Sequence, residues 1–250
     1  MSLSLDATNV SHRYGTVPAL AGVSVSVAAG TVVALVGESG SGKTTLLRSF
    51  NRLVDPASGT VLVGGTDVRS LEPVALRRRI GYVPQNGGLL PHWSARRNVE
   101  LVPRLIEMAD ATGAANDALQ RVGLDPATFG DRLPRELSGG QRQRVALARA
   151  FAARQGAILL DEPFGALDAI SRTDAHEAFE RVRTELGVTA VLVTHDLAEA
   201  ARLADTIVVM RAGVIEQSGT VSDLRNTPAT PYVRALFDRA EAASAALGAR

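Results

Sequence analysis

Two hydrophobic rhythms divide this chain. In the first third, short alternating or β-branched runs recur at Leu3 to Val10, Val23 to Val27, Thr31 to Val36, Gly59 to Val63 and Ile80 to Val83. Their period of two predicts strands. From Leu89 to Arg154 the apolar spacing becomes helical, as in Ser94 to Leu101 and Asn116 to Val122, and predicts a helical insert. Beyond it, Ala157 to Leu160, Ala190 to Val193 and Ile207 to Met210 are unbroken apolar runs separated by helical segments. Strands that are apolar on both sides belong to a mainly parallel sheet covered on both faces, so the expected class is α/β. No internal repeat or long linker interrupts this order. The alanine-rich stretch 241–250 reads as a frayed helix or a disordered tail.

Composition narrows the picture. A chain of 250 residues with 46% hydrophobic content can bury a full core, as one large domain or one domain with a subdomain. The formal net charge of +1 argues against the one-sided basic surface of a nucleic-acid-binding protein. The chain has no cysteine, which excludes disulfides and thiolate metal sites and permits a reducing compartment. Its start lacks a basic segment followed by an apolar core, and no apolar run approaches the roughly 20 residues that span a bilayer. A soluble, cytoplasmic protein is expected.

Among 27 basic side chains, the single lysine is Lys43. It lies in Gly37-Glu38-Ser39-Gly40-Ser41-Gly42-Lys43-Thr44, which fits the phosphate-loop pattern GxxxxGK[ST]. A compact ammonium can reach phosphates beneath a tight loop where a planar guanidinium has the wrong shape. Thr31 to Val36 before the octet reads as a buried strand and Thr45 to Phe50 after it as a helix, the setting that the motif requires. Ala157-Ile158-Leu159-Leu160-Asp161-Glu162 reads as a second buried strand delivering two carboxylates to the sheet's C-terminal edge. Asp161 and the Thr44 hydroxyl are then expected to hold Mg²⁺, and Glu162 to serve as general base toward water. The plainer alternative is a solvated strand end.

Leu137-Ser138-Gly139-Gly140-Gln141 opens a strongly helical run from Arg142 to Ala150, with Ser138 as N-cap. Two glycines at a helix start expose backbone N–H groups at the positive end of the dipole, which suits a γ-phosphate. A plain capped helix is expected to need neither the double glycine nor the glutamine.

Leu137 to Gln141 resembles the signature of the ATP-binding-cassette ATPases, and together with the phosphate loop and the Asp161-Glu162 strand the resemblance covers about Leu5 to Gly219. It implies a P-loop NTPase of the cassette type, spanning 1–240, with a mostly parallel core sheet, an antiparallel β subdomain and a helical subdomain at about 89–155. It further implies that Tyr14 stacks on adenine, and that Gly37, Ser39, Gly40, Gly42, Lys43, Thr44 and Thr45 bind the phosphates of ATP. Gln85 is implied as a sensor of Mg²⁺ and of the membrane partner, and Asp168, in Ala166-Leu167-Asp168, as part of a loop coupling two nucleotide sites. His195 is implied at the γ-phosphate, and Ser138, Gly139, Gly140 and Gln141 at the nucleotide of a partner subunit. Each of the scattered four has a plainer reading: Tyr14 as a half-buried core aromatic, Gln85 as a turn residue, Asp168 as a helix cap and His195 as a cap beside Asp196. Gly165 departs from the serine of many members.

The same resemblance implies a head-to-tail dimer around ATP, a homodimer or a dimer with a paralogous cassette. Gly88-Leu89-Leu90-Pro91-His92-Trp93-Ser94, followed by Asn98-Val99-Glu100-Leu101-Val102-Pro103, is similar to the ATP-binding subunits of bacterial importers, and its closing Val-Pro is most similar to the quaternary-amine branch. An ATPase on the cytoplasmic face of the plasma membrane follows, docked on membrane-spanning permeases and served by an extracytoplasmic binding protein for glycine betaine, choline or a related osmoprotectant. Importers of sugars, polyamines, sulfonates or amino acids share much of this stretch, and a soluble cassette ATPase outside transport is the reading of another class. Some osmoprotectant ATPases continue into a C-terminal regulatory module; with Arg250 last, none is expected here.

Overall fold

The computed structural model describes residues 2–248, with the backbone alone for 243–248. The chain opens with two long strands, β1 (Leu5–Tyr14) and β2 (Val17–Val27), followed by β3 (Val32–Val36) and α1 (Lys43–Phe50). Next come β4 (Ser58–Val63), β5 (Thr66–Asp67), α2 (Pro73–Arg79) and β6 (Ile80–Val83). Five helices then run in series: α3 (Ala95–Val99), α4 (Leu101–Leu105), α5 (Ala111–Arg121), α6 (Pro126–Phe129) and α7 (Gly139–Phe151). After them strand and helix alternate as β7 (Ala157–Asp161), α8 (Ala169–Leu186), β8 (Thr189–Thr194), α9 (Leu197–Leu203) and β9 (Thr206–Arg211). The chain closes with β10 (Val214–Gly219), α10 (Val221–Asn226) and α11 (Pro231–Gly248), which carries the alanine-rich stretch in helical form to Gly248.

The strands form two sheets. Six of them make the order β10-β9-β3-β8-β7-β6, parallel throughout except for the edge pair β9 and β10. The other four make an antiparallel sheet in the order β2-β1-β4-β5. Every residue of β3, β7 and β8 is buried, which is why these strands read as unbroken apolar runs. Their alternate side chains serve two cores. Val32, Ala34, Ile158, Leu160, Ala190 and Leu192 face the helices, among them Val145 and Ala148 of α7 and Phe179 of α8. Val33, Leu35, Leu159, Val191 and Val193 face Leu46, Leu47 and Phe50 of α1 and Leu5, Val10 and Val61 of the antiparallel sheet. Burying a Val or Leu side chain contributes about 1.5–3 kcal/mol, so this strand layer is a large part of the driving force for folding.

The first strands are longer than their alternation predicts. β1 continues four residues past Val10 to Tyr14 and returns through a two-residue turn, Gly15-Thr16, into β2, which begins at Val17 rather than Val23. The alternation is lost because Asn9 takes φ +51° and the register shifts between Ala7 and Val10. A bulge of this kind flips the inward face, so a period-two pattern breaks without the strand ending.

Candidate functional site

Because β6, β7, β8 and β3 are parallel neighbours, the loops that follow them leave from one edge of the sheet. This edge gathers the octet after β3, Gln85 after β6, Asp161 and Glu162 at the end of β7 and His195 after β8. The sheet order thus assembles residues from four distant segments.

The octet wraps the start of α1. Two glycines are dictated by close approach: a Cβ on Gly37 would lie 2.1 Å from the Met210 carbonyl oxygen, and one on Gly42, at φ +100°, 2.4 Å from that of Ala19. Lys43 is 5% exposed, and its Nζ donates to the carbonyls of Gly37 and Glu38, both at 2.7 Å, and to Ser41 Oγ at 3.2 Å. Burial lowers the Lys43 pKa, and the carboxylates of Glu162 and Asp161 oppose that shift. A cavity of about 380 Å³ lies against the loop, lined by Ser39 to Thr45, Tyr14, Val17 to Ala19, Gln85 and Glu162. Tyr14, at the tip of the first hairpin, is 54% exposed, which sets aside its reading as a core aromatic.

Asp161 is buried and closely held. Its Oδ1 accepts from Thr44 Oγ1 at 2.8 Å, while Oδ2 accepts from Arg48 Nη2 at 3.2 Å and from the Tyr82 hydroxyl at 3.3 Å. Burial raises the Tyr82 pKa, so the phenol keeps the proton that it donates. Glu162 next to it takes φ +47°, a conformation that costs a non-glycine residue roughly 1–2 kcal/mol. Its carboxylate Oε2 meets Gln85 Nε2 at 3.3 Å and His195 Nδ1 at 3.4 Å. Gln85 occupies a turn closed by the Gly87 amide on the Pro84 carbonyl, and the following carbonyls of Gly87 and Gly88 accept from Arg149 at 2.6 and 2.7 Å. His195 caps nothing; Asp196 caps α9.

Ser138, Gly139, Gly140, Gln141 and Asp168 do not line this cavity. Local packing accounts for most of them, against the expectation that a plain helix start would not need Gly140 and Gln141. Ser138 and Gln141 form a reciprocal capping box at 3.2 and 2.9 Å. A Cβ on Gly140 would lie 2.7 Å from that of Ser171, so this glycine lets α7 and α8 approach. Asp168 caps α8 through the amides of Ile170 and Ser171, whose hydrogen bonds lower its pKa.

Three partners of the loop escaped the sequence reading. Arg48 and Tyr82 hold Asp161 from 113 and 79 residues away. The available signal for Arg48 was its place four residues after Thr44, on the same face of α1. Tyr232 of α11 accepts from the Glu38 amide at 3.3 Å, and no local pattern announces that contact.

A glycine-rich loop, a buried lysine and an acid pair at one edge of the same parallel sheet define the class of phosphate-loop α/β domains. The ABC transporter family model matches residues 20–165, and the chain belongs to that family. Among its relatives, the choline transport ATP-binding protein OpuBA of Bacillus subtilis is 43% identical over 92% of this chain and 61% of that protein. The glycine betaine uptake system ATP-binding protein YehX of Escherichia coli is 40% identical over 95% of this chain and 77% of its own length. The sulfate/thiosulfate import ATP-binding protein CysA of Nocardia farcinica is 45% identical over 92% and 69%. This chain therefore spans 61% of the Bacillus relative's length. The dimeric structure of the bacterial ABC transporter cassette MJ0796 superposes with a TM-score of 0.77 at 32% identity, over 87% of this chain and 98% of that one. Among the described residues, no helix is long and apolar enough to cross a membrane.

Proposed function

We propose that this chain is the ATP-hydrolysing subunit of an importer for quaternary-ammonium osmoprotectants, acting as a dimer beneath its permease on the cytoplasmic face of the membrane. The carrying observation is the Glu162 carboxylate, set between Gln85 and His195 at the rim of the phosphate-loop cavity. Lys43 and the loop amides bind the phosphates, Tyr14 offers its exposed ring to the adenine, and Glu162 orients and deprotonates the attacking water. His195 bears on the γ-phosphate.

The residues present fit Mg²⁺. The Thr44 hydroxyl, the Asp161 carboxylate and the Gln85 amide are hard oxygen donors, and no cluster of three or more His, Cys, Asp or Glu among the described residues could hold a metal unaided. That donor set suits a cation that takes its remaining ligands from phosphates and water. Bound there, the ion would neutralise charge on the β- and γ-phosphates.

Since Ser138 to Gln141 and Asp168 lie off the cavity, one chain supplies an incomplete site. A second cassette turned head to tail would bring its helix start to the γ-phosphate, and the dimeric relative MJ0796 supports this arrangement. The names of the Bacillus and Escherichia relatives support choline or glycine betaine as solute. The Nocardia relative favours a second reading, import of another solute by the same motor.

The test is capture of tagged Glu162→Gln with ATP from native membranes in mild detergent. A multi-span permease and a binding protein that takes choline or glycine betaine support the proposal. A binding protein for an anion moves it to the second reading, and capture of soluble partners alone overturns the transport assignment.

A further inference from the structure

Helices α8 and α9 are joined by a ladder of polar and charged side chains. Residues 172, 176 and 180, one turn apart on α8, face residues 196, 199 and 202 of α9 and its cap. Arg172 Nη1 lies 3.6 Å from Asp196 Oδ2, and His176 Nε2 lies 3.7 Å from Glu199 Oε2 in a buried rung. Arg202 closes the third rung with two hydrogen bonds to Glu180, at 3.2 and 3.1 Å. The first rung differs from the others in where it ends. Besides Asp196, the residue after His195, Arg172 binds the Leu167 carbonyl at 3.0 Å through Nη2. Leu167 belongs to the loop that leaves Glu162, and its amide in turn donates to the Phe164 carbonyl at 3.2 Å. One guanidinium therefore spans the two loops that carry Glu162 and His195. His176 braces the same loop from below, its ring edge-on to Phe164 at 4.7 Å.

The contact between the two functional groups is loose: His195 is largely exposed and meets Glu162 Oε2 at 3.4 Å. With no direct bond of its own to fix the ring, its position depends on the backbone between Thr194 and Asp196. We propose that Arg172 is a positioning residue that holds His195 against Glu162 by tying the chain after His195 to the loop after Glu162. The inference rests on the ATPase reading for its kinetic consequence, and on geometry alone for the placement of the imidazole. A planar fork suits the task because its separated nitrogens let Nη2 bond the Leu167 carbonyl while Nη1 faces the Asp196 carboxylate, whereas an ammonium gathers its donors at one point. The other two rungs join the same pair of helices, the His176–Glu199 contact buried and the Arg202–Glu180 pair partly exposed.

The experiment compares Arg172→Ala, Arg172→Lys, His195→Ala and the double variant Arg172→Ala/His195→Ala in the full chain. Arg172→Ala is expected to lower kcat for ATP by about ten- to a hundredfold with KM nearly unchanged, because misplacement of a catalytic group costs on that order. Arg172→Lys recovers part of the loss. The double variant is expected to be no slower than His195→Ala, since both changes remove one function; additive losses would overturn the proposal. The imidazole resonances of His195 in the NMR spectrum are read in parallel. They shift in Arg172→Ala while those of His92 stay in place, and unmoved His195 resonances would overturn the proposal even in a chain that hydrolyses nothing. Absent hydrolysis in the unaltered chain, by contrast, counts against the ATPase reading alone.

Discussion

Thr44 Oγ1 donates its proton to Asp161 Oδ1 at 2.8 Å, joining the first turn of α1 to the end of β7 across the intervening strand β8. The bond leaves the hydroxyl's lone pairs free for a cation. Asp161 is 2% exposed and also takes Arg48 and Tyr82, so its charge is answered on both oxygens. Asp161→Asn keeps the shape and removes the charge, turning one acceptor into a donor that faces Arg48 or Thr44. The expected loss is about 1–3 kcal/mol of stability, from unmatched buried groups, together with loss of the Mg²⁺ dependence of nucleotide binding. Thermal unfolding with ATP, with and without Mg²⁺, checks both. A variant that still gains stability from Mg²⁺ would remove Asp161 from the metal role.

Two glycines of the octet should respond differently to alanine. At Gly42 a Cβ would lie 2.4 Å from the Ala19 carbonyl oxygen, so the loop must move off β2. At Gly40, φ is +79° but a Cβ meets nothing within 4 Å. Gly40→Ala is expected to cost about 1–2 kcal/mol from backbone strain alone, and Gly42→Ala more than that with loss of ATP binding. Calorimetric unfolding and a nucleotide titration separate the two. Equal effects would mean that the Ala19 contact is easily relieved.

What the sequence disclosed follows from how each feature is encoded. The octet, the Asp161-Glu162 strand end and the helix start at Ser138 are contiguous strings whose conformation follows from local chemistry. The central strands are equally plain, since burial on both faces leaves no alternation to misread. Where the structure depends on contacts between remote segments, the sequence is silent. Arg48 looks like any basic residue on a short helix until the sheet order brings Asp161 beside it. Gly140 was read for its exposed amide, yet the approach of Ser171 gives it a packing reason that only the α7 and α8 crossing reveals. The extension of β1 to Tyr14 was hidden by the bulge at Asn9, which breaks periodicity inside a continuous strand.

The burial of Lys43 has a consequence in pH. Desolvation lowers its pKa from the usual 10.5, with Glu162 and Asp161 opposing. Between the lowered folded value and the unfolded one, the unfolded chain holds more protons, so this residue's contribution to stability rises with pH through that window. The proposed phosphate binding by Lys43 has the opposite trend, because that role needs the ammonium. ATP affinity is therefore expected to fall with rising pH before an ordinary lysine would lose its proton. A titration of nucleotide binding against pH checks this, and Lys43→Ala, already weak, should show no such limb.

Asn98 is fully buried and holds the turn that carries Leu90-Pro91-His92-Trp93. Its Oδ1 accepts from the Leu90 amide at 2.7 Å, and its Nδ2 donates to the carbonyls of Leu90, Trp93 and Ser94 at 3.0–3.1 Å. Asn98→Ala leaves these backbone groups without partners and is expected to cost about 2–4 kcal/mol. Asn98→Asp should be worse, since it keeps the acceptor, loses the donors and buries a charge. Because Asn98 lies outside the phosphate-loop cavity, the ATP affinity of the folded fraction should stay unchanged. A stability loss below 1 kcal/mol, a limit set by the usual net value of a single hydrogen bond, would mean that water replaces the amide.

Glu162→Gln probes the group on which the functional reading turns. The glutamine preserves the side chain's length and can still meet Gln85 and His195, but it cannot take a proton from water. In the proposed site Lys43 and the loop amides bind the nucleotide, and the change leaves them alone, so affinity for ATP should be retained. Removal of the base is expected to lower turnover by about 10²–10⁴-fold. With ATP bound and unspent, the proposed head-to-tail dimer should accumulate, since in that proposal hydrolysis ends it. Size-exclusion chromatography with light scattering should then show a monomer without nucleotide and a dimer with ATP, while the unaltered chain returns to monomer as ATP is consumed. Turnover at the unaltered rate would exclude Glu162 as the base, and a variant that binds ATP yet stays monomeric would count against completion of the site by Ser138 to Gln141 of a second chain.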